Sequence, residues 1–427
     1  MKIAVVGAGI SGLTAAYRLG TDHEVTLLEA ADYLGGHTHT VDVELASERH
    51  AIDTGFIVFN DWTYPNFIAL LEELEIESRP TSMGFSVTCE RTGLEYSGST
   101  LNGLFAQRSN LLRPRFYRMI RDILRFNREA PQILSAPATE SAREQTVGEF
   151  LEAGRYSREF AEHYLVPMGS AIWSCPLGVF REFPIRFIVE FYRNHGLLSV
   201  NHRPTWRVVA GGSRTYVDAL LRRFRGQVRT NAPVTRVTRQ DEGVEITVRG
   251  HEPERFDHVV LACHADQALR MLADPSPVER ELLSAFPYER NVAILHTDTT
   301  LLPARRRAWE SWNYRISPEP EAGATVTYCM NILQHLQSAH VFSVSLNSEE
   351  RIAPEKVLGR FVYEHPVFTT RRTAAQARHR ELINQQRTSF CGAYWRNGFH
   401  EDGVVSALAV CKMLQPASAA VELATGV

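Results

Sequence analysis

The amino-acid sequence predicts an α/β protein of two domains. Its 427 residues exceed what a single hydrophobic core usually organises. A short apolar strand at the start of the chain runs into a glycine-rich turn and then a helix, which is typical of a parallel nucleotide-binding sheet. Later stretches such as NVAILHTDTTLL alternate in the manner of antiparallel strands. The expected second domain is therefore α+β, with an antiparallel sheet and helices.

Composition and charge exclude several classes of protein. With 44% hydrophobic and 22% charged residues, the chain is globular, and its net charge of -3 argues against a nucleic-acid partner. The six cysteines have no zinc-type spacing, so we expect reduced thiols in a cytoplasmic protein and no metal site. No signal peptide and no run of about 20 apolar residues is visible, so we expect a protein that is soluble or lies on a membrane.

The first βα unit carries the strongest motif. Residues 3–6 form a buried strand, and a helix is expected from about Ser11. Gly7, Gly9 and Gly12 between them form GxGxxG, which lets the backbone approach a pyrophosphate closely at the N-terminus of a helix. The next strand, EVTLLEA, ends at Glu29, 17 residues after Gly12, where a carboxylate accepts hydrogen bonds from a ribose. A Rossmann-like dinucleotide site is predicted.

The following residues indicate which dinucleotide is bound. Glu29 is followed by AADYLGGHTHT, with the pair Gly35 and Gly36, and then by AIDTGFIVFN. Here the chain resembles the flavin amine oxidase and phytoene desaturase superfamily, whose FAD fold is of the glutathione-reductase-2 type. The resemblance implies non-covalently bound FAD. One departure is His37, which stands where the superfamily often has an arginine.

Later segments extend this resemblance. WRVVAGGSRTYVDALLRRF, FDHVVLACHADQ and FCGAYWRNGFHEDGVVSALAVCKML resemble the central, returning and closing segments of the superfamily. The closing segment implies a helix whose N-terminus faces the flavin through Gly403 and Val404, with a plain surface helix as the alternative. The cofactor-binding residues expected from the motifs and the resemblance are Gly7, Ala8, Gly9, Ile10, Ser11, Gly12, Glu29, Ala30, Gly35, Gly36, His37, Thr38, Thr54, Gly55, Phe56, Val234, Ala262, Phe399, Asp402, Gly403, Val404 and Ala407.

These segments divide the chain into two domains. The FAD-binding domain is predicted in three pieces, residues 1–60, 205–270 and 385–427. Residues 61–204 and 271–384 form the predicted substrate domain. Its first insertion shows the 3.6-residue periodicity of helices, and its second alternates as strands do.

Whole phrases indicate a narrower resemblance. IWSCP, SWNYR, VTYCMNILQ, YEHPVF and CGAYWRNGFHEDGVVSA resemble FAD-binding proteins related to desaturases of methyl-branched and furan fatty acid synthesis. The resemblance spans nearly the whole chain. It implies a desaturase that acts on an acyl chain of a membrane phospholipid by hydride transfer to flavin N5. A homodimer is one assembly that the sequence leaves open.

Two other functions compete with this one. A flavin amine oxidase acting on a small amine or polyamine is the main rival. Many such enzymes place a lysine by the flavin, and none of the three lysines here, Lys2, Lys356 and Lys412, is suitably placed in the sequence. A flavoprotein that stabilises a partner without turnover is the other. His400 is the candidate catalytic proton acceptor, and a neutral, hydrogen-bonded wall histidine is its alternative role. His365, just before Pro366, is expected in a turn.

A basic segment at about 111–128 is predicted to be an amphipathic helix. An acyl-lipid substrate requires docking on a bilayer, and arginines favour its anionic phosphates. We therefore expect a peripheral protein on the inner face of the cell membrane, with the alternative that this helix packs on the core with its arginines in water. The expected membrane-facing residues are Arg115, Phe116, Arg118, Arg121 and Arg125.

Overall fold

A computed structural model describes residues 1–45, 47–135, 145–173, 175–199, 201, 203–318, 325–367 and 369–414. The predicted cofactor segment 385–427 therefore extends past the described residues. Within these ranges, the longest helices are too short or too polar to cross a membrane.

The strands of the described residues fall into five sheets. In chain order they are β1 (Lys2–Val6), β2 (Glu24–Leu28), β3 (Thr40–Leu45), β4 (Glu48–Asp53), β5 (Val58–Asn60), β6 (Ser78–Pro80), β7 (Phe85–Cys89), β8 (Leu94–Ser97), β9 (Trp206–Val209), β10 (Gln227–Arg229), β11 (Val234–Gln240), β12 (Gly243–Val248), β13 (Glu254–Phe256), β14 (His258–Leu261), β15 (Tyr288–His296), β16 (Trp312–Ile316), β17 (Val326–Cys329), β18 (Ser343–Leu346), β19 (Val357–Pro366) and β20 (Thr388–Phe390).

Helices cover the sheets and fill the first insertion. They are α1 (Ile10–Leu19), α2 (Pro65–Glu73), α3 (Leu101–Leu104), α4 (Pro114–Glu129), α5 (Val147–Ala153), α6 (Arg158–Phe160), α7 (Val166–Trp173), α8 (Leu177–Arg181), α9 (Ile185–Asn194), α10 (Arg214–Arg223), α11 (Ala265–Met271), α12 (Pro277–Leu283), α13 (Met330–Leu333), α14 (Thr370–Ala377) and α15 (His400–Leu414). A π-helical turn at Ala161–Leu165 joins α6 to α7.

The nucleotide-binding sheet is parallel, as the glycine-rich βα unit predicts. Its order is β10-β2-β1-β14-β20, with Ile3 opposite Val25 on one side and His258 on the other. These strands fall within residues 1–60, 205–270 and 385–427, although they are far apart along the chain. β14 is buried throughout and β1 from Ile3 onward, and the two strands lie side by side, so their carboxyl ends open on one cavity.

The second large sheet has seven strands in the order β19-β15-β18-β17-β16-β7-β8. The alternating segments of the second insertion form β15 to β19, mostly antiparallel. The expectation that the first insertion is helical is incomplete, because it also supplies β7 and β8. These two strands are short, and β7 pairs in parallel with β16, more than 200 residues away. A pairing over that separation leaves no local pattern in the sequence.

The basic segment is helical from Pro114, and residues Arg108–Leu112 form a short 3₁₀ turn before it. Phe116 is 4% exposed and packs in the hydrophobic core of the substrate domain, so its expected membrane-facing position is wrong. Arg125 also faces the protein, because its guanidinium lies 3.8 Å above the Tyr156 ring and donates to the Gly154 carbonyl. Arg115, Arg118 and Arg121 remain largely exposed.

Candidate functional site

Backbone geometry at the end of β1 builds the phosphate-facing turn. Gly7 has a φ of +101°, which a residue with a side chain rarely adopts. Gly12 lies directly under the Gly7 carbonyl, where a Cβ would overlap the oxygen. Gly9 caps α1 with extended backbone, so the first N–H groups of that helix point into the cavity, where an anion is favoured.

Hydrogen bonds that involve Glu29 and Gly35 hold this turn in place. The Glu29 carboxylate accepts hydrogen bonds from the Ala8 N–H at 2.7 Å and the Ala31 N–H at 2.9 Å. The Gly35 N–H donates to the Ala8 carbonyl at 2.9 Å, and a Cβ on Gly36 would come within 3.0 Å of Gly9 Cα. Glu29 therefore holds the loop and still lines the cavity where it can meet a ribose.

Sixteen of the predicted site residues line one elongated cavity. They are Gly7, Ala8, Gly9, Ile10, Ser11, Glu29, Ala30, Gly35, Gly36, His37, Gly55, Phe56, Val234, Ala262, Phe399 and His400. The remaining predicted residues lie outside its lining. They are Gly12, Thr38, Thr54, Asp402, Gly403, Val404 and Ala407.

Gly403 and Val404 lie within the first turns of α15. The Gly403 N–H donates to the Phe399 carbonyl at 3.2 Å, Val404 is 2% exposed, and both lie outside the described lining, so their flavin contact stays a prediction. A Cβ on Gly403 would come within 2.6 Å of Ile10 Cγ2, so this glycine allows α15 to pack closely on α1. Asp402 accepts the Phe399 N–H at 2.9 Å, which holds the turn that precedes the helix, and burial raises its pKa to about 6.

Two predicted threonines lie behind the cavity wall. Thr38 Oγ1 is 2.5 Å from the Tyr216 hydroxyl, and Thr54 Oγ1 is 2.8 Å from the Tyr363 hydroxyl. Each thereby braces the strands and helices that carry cavity residues. Both threonines lie outside the described cavity lining, and their direct contact with the cofactor stays a prediction.

His400 forms part of the wall and is poorly suited to accept a proton. Its Nε2 lies 3.0 Å from Thr38 Oγ1 and 2.9 Å from the Tyr216 hydroxyl, and its ring stacks on Phe56 with centroids 3.5 Å apart. Burial lowers the pKa of the imidazole to about 3. The predicted role as proton acceptor is therefore corrected in favour of the neutral, hydrogen-bonded alternative.

A histidine wall, formed by His37, His264 and His365, was not predicted as a group. The His37 ring lies 5.3 Å from the His365 ring and 6.4 Å from the His264 ring, and all three residues line the cavity. His365 lies in β19 opposite Glu289, so its expected turn position is wrong. His264 follows the carboxyl end of β14, a position where ligands bind in parallel sheets, and that rule is the signal that would have found it.

Aromatic rings form a further part of the cavity lining, which we call the aromatic compartment. Its lining includes Trp173, Trp312, Tyr328 and Phe399, with aliphatic neighbours such as Ile172. The Trp312 and Tyr328 rings meet edge to face with centroids 5.1 Å apart. This compartment is suited to an apolar substrate group, because its described side chains offer large apolar surfaces.

Burial sets the charge of the histidine wall. The pKa of His37 is well below its usual value, chiefly because of burial and secondarily because of His365, His264 and His400. Burial likewise lowers the pKa of His365 to about 4. The His37 Nε2 has no hydrogen-bond partner among the described residues. A neutral imidazole with an unsatisfied nitrogen is thus presented beside the Gly36 turn.

Comparison with known proteins places these features in a family. Residues 10–339 match the family model of flavin containing amine oxidoreductases. A curated relative, an L-amino-acid oxidase of Pseudechis australis, is 55% identical over 40 residues, which is 9% of this chain and 8% of that oxidase.

Solved structures resemble the chain over nearly its whole length. A CLA-producing fatty acid isomerase from P. acnes superposes with a TM-score of 0.68 at 16% identity, over 97% of this chain and 98% of that one. Cyclohexylamine oxidase from Brevibacterium oxydans IH-35A superposes with the same score and identity, over 97% and 99% of the two chains. At this identity, the likeness concerns the fold.

Proposed function

The chain belongs to the family of flavin containing amine oxidoreductases, and from this premise we propose that it desaturates a methyl-branched acyl chain of a membrane phospholipid, on the route to furan fatty acids. FAD is the proposed non-covalent cofactor. The observation that carries the proposal is the aromatic compartment, which offers apolar rings to a substrate. It lines the same cavity as the cofactor cradle, the name we give to the turn at residues 7–12 with Glu29, Gly35, Gly36 and His37.

The residues of the cradle have the shape and the polar groups that FAD requires. A side chain at Gly12 or Gly36 would fill the space between the turn and its neighbours, so close backbone approach is built in. Glu29 supplies carboxylate oxygens at the end of β2, and His37 supplies a buried nitrogen without a partner. The chemistry that FAD would supply when bound is the ability to accept a hydride from a C–H bond.

The position of the lysines separates the proposal from many amine oxidases. Lys2 pairs with Glu254 at 3.0 Å, Lys356 lies 3.4 Å from Asp298, and Lys412 lies in the last turn of α15. The described lining of the cavity contains none of them. A lysine-dependent amine mechanism therefore receives no support from the arrangement.

Two carboxylates, Glu29 and Glu364, lie in the described lining of the cavity. Glu364, a carboxylate in the lining, lies 3.3 Å from His264 Nδ1. The aromatic compartment itself contains no described carboxylate that would pair with an ammonium group. Such surroundings favour a long apolar group over a cation, because burying an unpaired charge is costly.

Two similarities to other proteins bear on the substrate. One protein with this fold is a CLA-producing fatty acid isomerase, and this similarity favours a fatty acyl substrate. An amine oxidase remains the second candidate, favoured by the family description and by the cyclohexylamine oxidase structure. The two candidates differ in which substrate reduces the enzyme, and this difference can be measured directly.

The decisive experiment is anaerobic reduction of the purified holoenzyme. We expect methyl-branched phospholipid in detergent micelles to bleach the oxidised flavin band, and the recovered acyl chain to be lighter by two hydrogen atoms. Cyclohexylamine and putrescine should leave the band unchanged. Bleaching by the amines with no effect of the lipid would reverse the assignment.

A substitution in the aromatic compartment tests the substrate assignment, and a substitution of a tryptophan outside it is the matched control. Trp312→Asp places a charge among apolar rings and should slow lipid-driven bleaching at least about 10-fold, because a charge without a partner opposes acyl binding. Trp309→Asp alters a tryptophan whose Nε1 donates to the Pro303 carbonyl and which lies outside the described lining. Its rate should change less than that of Trp312→Asp, once the folded fraction of each variant is measured.

A phospholipid substrate implies a location. We propose that the protein lies peripherally on the inner face of the cell membrane, because an acyl chain exposed to water costs about 0.8 kcal/mol per CH₂.

A further inference from the structure

A second cavity lies at the start of α4, away from the cofactor. It is bounded by the turn after β7, the first turn of α4, and α6 with the π-helical turn. The described linings of the two cavities share no residue. Five arginines line the second cavity, which we call the arginine pocket: Arg91, Arg113, Arg115, Arg118 and Arg158.

The acidic residues of the pocket neutralise only part of this charge. Arg91 and Arg158 share Glu162, at 2.5 and 2.6 Å. Arg115 and Arg118 both lie 3.8 Å from Glu159. Five arginines against two glutamates leave an excess of three positive charges in the lining. An anion in the pocket would complete this charge balance.

The helix itself also favours an anion. α4 has 16 residues, its N-cap Arg113 provides no side-chain cap, and its first turn holds no acidic residue. The positive end of the helix dipole therefore faces the pocket, although Pro114 has no N–H and the Phe116 N–H donates to the Arg113 carbonyl at 3.0 Å.

A buried histidine points independently to a ligand. His163 lines the pocket and is 8% exposed, and its Nε2 has no hydrogen-bond partner among the described residues. The imidazole also interacts with the Cys89 thiol, which is a weak hydrogen-bonding group. A buried polar atom left without a partner is uncommon in a folded protein, and an acceptor oxygen in the pocket would supply one.

Exposed apolar side chains lie at the edge of the same pocket. Leu112 lines it and is 88% exposed, and the adjacent Leu111 is 47% exposed. Tyr117, one helical turn into α4, is 46% exposed. Exposed leucines next to a cluster of arginines are typical of proteins that insert apolar side chains at the headgroup boundary of a bilayer.

We propose that the arginine pocket docks on an anionic phospholipid bilayer, binding a lipid phosphate while Leu111 and Leu112 enter the interface. The choice of a bilayer as partner rests on the proposed function. The assignment depends on charge complementarity between the arginine pocket and an anionic bilayer. The chain as a whole has a net charge of -3, whereas the pocket has three excess positive charges, so the attraction is local to this surface. The inserted side chains thus differ from the predicted ones, because Phe116 faces the core.

The test uses the holoenzyme and sedimentation with vesicles. We expect binding to phosphatidylglycerol vesicles, little binding to phosphatidylcholine vesicles, and weakening by salt. Arg115→Gln with Arg118→Gln should weaken binding to phosphatidylglycerol about 30-fold, because two charges near the surface are lost. The matched control, Arg222→Gln with Arg225→Gln, removes two exposed arginines on the cofactor side and should change binding less than about 3-fold.

A second variant tests the apolar edge. Leu111→Ser with Leu112→Ser changes exposed side chains and should lower vesicle binding about 10-fold, with the thermal unfolding temperature unchanged. Equal binding by all variants, or inorganic phosphate bound without any vesicle binding, would overturn the proposal. Lipid-driven flavin bleaching in micelles is measured without vesicles, so failure of docking and failure of the desaturase assignment give different results.

Discussion

At the scale of single residues, His37 is the notable departure from the superfamily pattern. An arginine at this position would bring a permanent charge to the cofactor, whereas burial keeps the His37 imidazole neutral. Its Nε2 is nevertheless buried and without a partner among the described side chains, so it can form one hydrogen bond with FAD. We therefore expect a contact that orients the cofactor but contributes less than an ion pair would.

The first prediction concerns this residue. His37→Ala should weaken FAD binding by the apoprotein about 5- to 10-fold, which corresponds to the loss of one neutral hydrogen bond. Titration of the apoprotein with FAD, followed by quenching of flavin fluorescence, measures the change. His39→Ala is the matched control, because His39 packs beside Tyr33 and bonds to Thr54 outside the described cavity lining. An equal loss in both variants would count against a direct contact.

At the scale of secondary structure, the packing of α15 on α1 controls the shape of the cradle. The two helices meet where Gly403 lies against Ile10 and Ser11, so the first turn of each is fixed by the other. Glu401 anchors the same end of α15 by accepting hydrogen bonds from Asn66 and from the Phe67 N–H at 2.8 Å. A displacement of α15 therefore moves the N–H groups that face the phosphates.

Gly403→Ala tests this coupling. The added methyl would come within 2.6 Å of Ile10 Cγ2 and 2.9 Å of Ser11 Oγ, so we expect a loss of about 1–3 kcal/mol in the free energy of unfolding and a lower FAD content after purification. Urea unfolding and the flavin absorbance ratio measure both effects. Gly178→Ala in α8 meets no atom within 4 Å and should be neutral or slightly stabilising. Similar losses in the two variants would contradict the packing argument.

At the scale of the whole molecule, burial of histidines dominates the response to acid. An unfolded histidine has a pKa near 6.5, so the unfolded chain binds protons first as the pH falls. Burial lowers the pKa to about 4 in the folded protein for His195, His258, His296, His365 and His379, and to about 3 for His400. Stability should therefore fall between pH 6.5 and about 4.

Five carboxyl groups oppose this trend, because burial raises the pKa of Asp53, Glu289, Glu310, Glu401 and Asp402. Burial raises the pKa of Asp53 and Asp402 to about 6, so the folded state binds their protons more readily and gains stability as the pH falls below 6. Since the histidines with a lowered pKa outnumber these carboxyl groups, we expect the unfolding temperature to be at least about 5 °C lower at pH 5 than at pH 7.5. Thermal scans at a fixed rate test this, with pH 7.5 and 8.5 as the control pair, because the histidines are neutral in both states there. A higher unfolding temperature at pH 5 would contradict it.

Local chemistry accounts for what the sequence predicted. Gly7, Gly9 and Gly12 are required by backbone approach within one βα unit, and Glu29 follows at a spacing that a parallel strand pair dictates. Alternation in the second insertion likewise identified β15 and its neighbours, because side chains of a strand point to opposite faces. Both inferences depend on residues close together in the chain.

The sequence by itself thus determined the cradle, the parallel sheet around it and the amphipathic character of α4. Only the tertiary structure decided the rest: the histidine wall joins His37 to His264 and His365, and the aromatic compartment joins Trp173 to Trp312. Because α4 is amphipathic, one of its faces must be buried, but the sequence pattern does not specify which residues bury that face. The other elements of the substrate domain cover Phe116 and leave Leu112 in solvent, since burial is set by long-range packing that no local pattern encodes.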